Sequence, residues 1–249
     1  MSITIKTLAS TSEKENRQAF FELYKKSPVT DSELLANVGL YQKRQDFSKQ
    51  LFFHEIYQQI LSVHGVIMEF GTRWGQNLVT LHNLRSILEP FNYSRRIVGF
   101  DTFAGFESIN TKDGAHEIIK EGAFSVTTGY ETYLEKLLAY HETEAPLPHI
   151  KKNFLVKGNA IDKLQEYLRQ HPETIIAFAY FDFDIYEPTF RCLELIRPYL
   201  TKGTVIGFDE LNDPQFPGET IAVREALGLC NISIKRNRYS GIQSYCIIE

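Results

Sequence analysis

The stretch Val66-Ile-Met-Glu-Phe-Gly-Thr-Arg-Trp-Gly-Gln-Asn77 decides the fold. Val66 to Phe70 is a short, mostly apolar run that ends at a glycine, which suits a strand buried on both faces of a parallel sheet. Gly71 and Gly75 let the backbone turn sharply and approach a ligand closely. Beyond them Leu78, Leu81, Leu84 and Leu88 recur at spacings of three or four and predict a helix. Strand, glycine turn and helix in succession form the unit of a wound α/β sheet, and the N-terminus of such a helix receives an anionic group such as a carboxylate.

Outward from this unit the pattern recurs. Arg96 to Asp101 predicts a second strand, Phe154 to Lys157 a third, Ile175 to Phe181 a fourth and Thr204 to Phe208 a fifth. Helices are predicted over Tyr130 to Tyr140, Ala160 to Arg169, Pro188 to Leu200 and Thr220 to Leu229. Ile232 to Tyr239 and Ile242 to Ile248 flank Ser240-Gly241 and predict an antiparallel hairpin that closes the chain. The expected fold is a doubly wound, mostly parallel seven-stranded α/β sheet over residues 65–249. Residues 12–64 read as helical instead. Ser12 with Glu15 patterns a capping box, Phe20, Phe21, Leu23 and Tyr24 crowd one side, and further helices are predicted over Asp31 to Val38 and Phe47 to Val63. Residues 1–64 are therefore expected to form a helical lid or dimerisation extension.

Composition narrows the classes. Net charge is -4 with a sequence pI near 6.0, and no five like charges run together, so the basic face of a nucleic-acid binder is missing. No stretch approaches the ~18 apolar residues of a membrane span. The segment Met1-Ser-Ile-Thr-Ile-Lys6 lacks the apolar run of a signal peptide. Cys192, Cys230 and Cys246 are too far apart for a metal-binding pair and are expected as reduced thiols, which places the chain in the cytoplasm. The 18 Phe and 13 Tyr predict an aromatic core, with some rings free to line an adenine or substrate pocket.

In doubly wound sheets ligands sit beyond the carboxyl ends of the strands. Glu69 and Gly71 end the first strand, followed by Thr72, Arg73, Gly75 and Asn77. Asp101 ends the second, where an acid either accepts the ribose hydroxyls of a nucleoside or caps a turn; Thr102 and Phe103 follow it. Gly158-Asn159 ends the third, at the level of an adenine edge. The fourth ends Phe181-Asp-Phe-Asp-Ile-Tyr-Glu187 and the fifth Phe208-Asp-Glu210. Carboxylates gathered at the ends of apolar strands repel one another and lose hydration, so they need a cation, shared protons or hydrogen-bond donors. An all-oxygen ligand set suits Mg²⁺. Residues 102–130 are rich in Gly, Ser and Thr and predict an active-site excursion. His116 within it is a solvent-facing loop residue, a general base or a residue that holds a sugar hydroxyl. The dinucleotide fingerprint G-x-G-x-x-G fails because residue 73 is Arg, which disfavours an NAD-dependent dehydrogenase.

Together these residues resemble the macrocin O-methyltransferase (TylF-type) family of class I S-adenosylmethionine (SAM)-dependent methyltransferases, over about residues 66–228. The family contains metal-dependent enzymes that methylate sugar hydroxyls. Glu69-Phe-Gly-Thr-Arg-Trp-Gly75 resembles its glycine motif, Gly99-Phe-Asp-Thr-Phe-Ala-Gly-Phe106 its D-S/T-F-x-G segment, and Asp182-Phe-Asp-Ile-Tyr-Glu-Pro-Thr189 with Asp209-Glu210 its D-x-D-x-Y-x-x-T segment and acidic pair. The resemblance implies that Glu69, Gly71, Thr72, Arg73, Gly75, Asn77, Asp101, Thr102, Phe103, Gly158, Asn159 and Asp182 line the SAM site. It also implies that Asp182, Asp209 and Glu210 hold Mg²⁺ (or Mn²⁺), and that a hydroxyl deprotonated by Asp182 or His116 attacks the methyl. The acceptor is expected to be a small molecule or sugar, and the enzyme a homodimer. Three positions depart from the pattern: Phe183 stands where a small residue is usual and places bulk toward the metal side, Glu210 where Asp is usual, and Asn159 where Asp follows the glycine. A methyltransferase of catechols or other vicinal diols uses the same metal logic, and a SAM-binding protein of this fold without turnover accommodates the departures.

Overall fold

The computed structural model describes residues 9–249; the segment Met1–Lys6 lies outside them. The chain divides into two compact units, Met1–Ser48 and Lys49–Glu249. In the first, α1 (Thr11–Lys25) starts at Ser10, whose hydroxyl accepts the Glu13 amide while Glu13 reaches back to the Ser10 amide. The capping box thus sits two residues before the expected Ser12–Glu15 pair, because Ser10 is the residue left in extended conformation ahead of the helix. A short α2 (Asp31–Leu34) follows, ending well before Val38, and Val38–Tyr41 tightens into a 3-10 turn.

The helix α3 (Arg44–Ile60) runs from the first unit into the second. Phe52, Phe53, Ile56, Tyr57 and Ile60 follow helical spacing and are buried to 1% exposure or less against Phe178, Tyr180 and Tyr245. Each such side chain contributes about 1.5–3 kcal/mol of burial, so this part of α3 is core rather than an appendage.

The sheet has seven strands in the order β3-β2-β1-β4-β5-β7-β6. These are β1 (Val66–Phe70), β2 (Ile97–Asp101), β3 (Asn153–Lys157), β4 (Ile176–Phe181), β5 (Leu200–Phe208), β6 (Lys235–Arg236) and β7 (Ser244–Ile247). The first five are parallel, and β7 pairs antiparallel with both β5 and β6. The closing hairpin is shorter than expected, with β6 reduced to two residues. The helices α4 (Gln76–Leu88), α5 (Tyr130–Glu144), α6 (Ala160–Gln170), α7 (Tyr186–Ile196) and α8 (Pro217–Ala226) cover the two faces. Helix α7 starts and stops earlier than expected, since Arg197–Tyr199 forms a separate 3-10 turn around Pro198.

Register places Phe70 beside Phe100 and Phe181, and Phe181 beside Phe208. Their rings stack across four strands at 5.3, 4.7 and 5.8 Å. The residue after each Phe forms the next row: Gly71, Asp101, Asp182 and Asp209. The ladder extends into that row through Gly71 N–H to Phe100 O, Asp182 N–H to Phe70 O and Asp209 N–H to Phe181 O. A buried aromatic floor therefore carries an acidic edge.

Candidate active site

The turn after β1 is built for close approach. Gly71 has φ +95°, and a Cβ there would lie 2.0 Å from the Asp182 carbonyl oxygen. Gly75, at the start of α4, has φ +79° and would press a Cβ to 2.4 Å from Leu134. Thr72 and Glu69 are buried beneath this turn. Neither Glu69 carboxyl oxygen reaches a donor at hydrogen-bond geometry. Burial pushes its pKa up to about 8, and nearby Asn77 and Thr72 act against that rise. Asn77 also donates to Asp182 Oδ2 at 3.4 Å.

At the second strand end Asp101 accepts the Arg73 amide at 2.6 Å and the Phe103 amide at 2.6 Å, one on each oxygen. Arg73 and Phe103 both have positive φ, and the Asp101 carboxylate holds these two strained turns in place. Burial raises the Asp101 pKa, and the two amides oppose it. The Arg73 guanidinium lies 5.0 Å over the Phe124 ring. Thr102 closes its own turn, donating to Gly105 O and accepting the Ala104 amide. At the third strand end, Gly158 has φ +134° and Asn159 caps α6 through the Ile161 and Asp162 amides. The Asn159 amide group donates to Glu107 in the 102–129 excursion at 2.7 Å.

The acidic edge gathers more groups than the sequence reading named. Asp182, Asp184 and Glu210 bring one carboxylate oxygen each within 4.8 Å of one another. Asp184 achieves this from a left-handed turn, φ +63°. Asp209 lies alongside, its Oδ1 accepting from Tyr180 OH and from Gln243 Nε2 at 2.9 Å. Glu219, from α8, is fully buried and accepts the Glu210 amide at 3.1 Å. Lys49, from α3, supplies a cation: its ammonium lies 3.1 Å from Asp182 Oδ2 and 3.0 Å from Asp209 Oδ1. Burial pushes Asp182 up to about 7 with Asp209 adding to it, and Asp184 to about 6. Burial and neighbouring carboxylates drive Glu210 and Glu219 well above the ordinary range. Burial alone would lower the Lys49 pKa, but Asp182 and Asp209 outweigh it and raise the value.

Phe183 does not fill the acidic side. Its ring lies 5.9 Å from Phe70 and 6.4 Å from Phe181, against the aromatic floor, because alternation at the strand end sends it to the face opposite Asp182. His116 accepts the Ile118 amide at 3.3 Å, and no hydrogen bond among the described residues joins its ring to the acidic edge. The excursion that carries it is pinned by buried Asp113, which accepts the Asn110 amide at 2.7 Å and the Tyr186 amide at the start of α7. Lys49 and Glu219 join this edge without having been candidates from the sequence, and Asp184, quoted among the strand-end carboxylates, takes the place beside Asp182 and Glu210 expected for Asp209. Lys49 carried a readable signal: it heads the stripe Lys49, Phe52, Phe53, Ile56, Tyr57, Ile60, a cation on a face otherwise destined for the core.

A seven-stranded sheet in this order, closed by an antiparallel pair and holding polar groups past its strand ends, is the class I methyltransferase architecture. No protein-family model matches the chain, and neither does any curated protein. Solved structures do. CalS11, the calicheamicin methyltransferase, is 40% identical over 99% of this chain and 98% of its own, with a TM-score of 0.92. The apo form of CalS11, described as a TDP-rhamnose 3'-O-methyltransferase, is 39% identical over 97% and 96%, with a TM-score of 0.84. The O-methyltransferase NovP shares the fold at 16% identity, covering 81% and 79%, with a TM-score of 0.61. The chain belongs to the O-methyltransferase family of CalS11.

Proposed function

We propose that the chain transfers the methyl group of SAM to a hydroxyl of a sugar, carried on a nucleotide, a glycan or a glycosylated metabolite. The observation that carries this reading is the convergence of Asp182, Asp184 and Glu210 next to the Gly71 turn, in a chain 39% identical to a TDP-rhamnose 3'-O-methyltransferase. The sequence resemblance to the macrocin-type family points to the same substrate class. In this reading Glu69, Gly71, Thr72, Gly75 and Asn77 receive the amino-acid part of SAM, with the N-terminus of α4 facing its carboxylate. Arg73, Asp101, Thr102 and Phe103 frame the ribose, and Gly158 and Asn159 stand at the adenine edge.

The acidic edge fits a hard divalent ion. Its donors are all oxygens, and Glu210 Oε2 is buried without a hydrogen-bond donor. Asp182, Asp184 and Glu210 are the proposed ligands, and Asp209, expected in that set from sequence, adds its charge from the next strand while Tyr180, Gln243 and Lys49 engage its Oδ1. Mg²⁺ or Mn²⁺ held there by these carboxylates would supply a Lewis acid that acidifies an acceptor hydroxyl. Asp182 or His116 takes the hydroxyl proton. With Asp182 as the base, His116, at the excursion, holds another hydroxyl of the sugar. The 102–129 excursion, pinned through Asp113, excludes water from the strand ends.

Asp182→Asn keeps size and removes charge. It should leave SAM affinity by calorimetry within about threefold and lower turnover on a TDP-sugar by roughly a hundredfold or more. Chelation of the wild type should act likewise, with Mg²⁺ restoring the rate. Full turnover by the chelated enzyme would remove the metal from this scheme, and turnover on catechols but not on sugars would shift the acceptor class.

A further inference from the structure

Lys49 contacts the acidic edge and has no part in the proposed reaction. Its ammonium bridges Asp182 of one strand end and Asp209 of the next, at 3.1 and 3.0 Å. The Tyr180 ring lies 5.6 Å beneath it. The position is fixed by the helix: Lys49 begins the α3 stripe whose next members, Phe52 and Phe53, are buried against Tyr180. Side-chain alternation along β4 sends Tyr180 and Asp182 to the same face, the one that α3 covers. Core packing of the following residues thus directs the partly exposed Lys49 ammonium to the strand ends.

Asp182 is thus shared. One oxygen pairs with Lys49, and the same carboxylate belongs to the group whose oxygens converge with those of Asp184 and Glu210. Two cations drawing on one carboxylate a few ångströms apart repel each other, and burial weakens the screening between them. We propose that Lys49 is a built-in competitor for the divalent ion: it pairs Asp182 and Asp209 when the ion is absent, gives up Asp182 when the ion binds, and thereby weakens the ion's affinity. This rests on the metal reading of the acidic edge. Lys49 is a positioning residue in this scheme. It acts through Asp182 and keeps five neighbouring carboxylates, Asp182, Asp184, Asp209, Glu210 and Glu219, from being left without a cation.

The test is Mn²⁺ binding to the full chain, read from the electron paramagnetic resonance of the free ion. Lys49→Gln should bind Mn²⁺ roughly tenfold tighter or more, whereas Lys49→Arg, which keeps the charge, should stay within about threefold of wild type. Equal or weaker binding by Lys49→Gln, with wild type binding Mn²⁺, overturns the competition and leaves the metal reading standing. Binding by neither protein overturns both. Since removing Lys49 exposes the fold to unpaired buried carboxylates, the wild type gives a second readout: amine acylation of Lys49, followed by peptide mass spectrometry. Saturating Mn²⁺ should raise its acylation severalfold by freeing the ammonium from Asp182; unchanged or reduced acylation in protein that binds Mn²⁺ overturns the proposal.

Discussion

Replacing Gly71 by Ala tests how tightly the turn after β1 and the acidic edge are joined. Two penalties act. The first is conformational: φ is +95°, outside what an L side chain adopts without strain, which costs about 1–2 kcal/mol. The second is steric: the new Cβ would lie 2.0 Å from the Asp182 carbonyl oxygen and 2.7 Å from its carbonyl carbon. Both atoms are backbone at the end of a buried strand, so no side chain can swing aside. Relief requires β1 and β4 to part at their tips, an overpacking cost of roughly 1–3 kcal/mol. The sum is about 2–5 kcal/mol. Gly122 supplies the control, with φ +76° and nothing within 4 Å of an added Cβ, so Gly122→Ala bears the first penalty alone. Urea unfolding of both variants measures the difference, expected at about 1–3 kcal/mol against Gly71→Ala. Because the displaced backbone is that of Asp182, turnover should also fall in Gly71→Ala under conditions where it is fully folded. Equal stability of the two variants would refute the claim that this glycine is required by contact and not by φ alone.

Glu69 makes stability depend on pH. Burial lifts its carboxyl to about 8, against roughly 4.3 in an unfolded chain. An acid raised on folding contributes stability that is complete below about pH 4.3 and is lost as pH rises through about 8. Glu69→Gln removes that titration, so its unfolding free energy relative to wild type should gain on the order of 1–4 kcal/mol between about pH 5 and about pH 8; a constant offset across that range would contradict the assignment. Assembly is the other expectation. Helix α1 buries no residue and leaves Phe21, Leu23 and Tyr24 exposed, which favours the proposed homodimer built through the helical segment before residue 64. Light scattering on the full chain decides it, and a mass near 28.7 kDa would rule the dimer out.

The sheet was legible because its parallel strands read as short, mostly apolar runs between helical segments. A run such as Ile176–Phe181 is apolar throughout and stops at an acid, and the alternation with helical spacing between strands left one architecture. What blurred was local. Pro198 ends α7 early with a 3-10 turn, and β5 begins four residues before Thr204 because Leu200 pairs with Ile176 across a register shift. Helix caps also slipped: Ser10 and Ser12 are equally good capping residues, and only backbone conformation selects one.

The candidate site was legible in rows rather than in full. Phe70-Gly71, Phe100-Asp101, Phe181-Asp182 and Phe208-Asp209 place an aromatic and then a glycine or acid at four successive strand ends. Parallel register turns that repeated pair into a stacked floor and an acidic edge. Sequence alone cannot say which helix faces the edge. Residues before 64 read as an extension because no strand precedes them, yet α3 seals the face to which Asp182, Asp209 and Glu69 project. Once that helix is core, the charge at the head of its stripe can pair only with what the strand ends offer, and the strand ends offer carboxylates. Lys49 is therefore a consequence of packing meeting alternation: the same periodicities that bury Phe52 and Tyr180 together bring an ammonium to Asp182 and set its charge against any other cation that seeks the same oxygens.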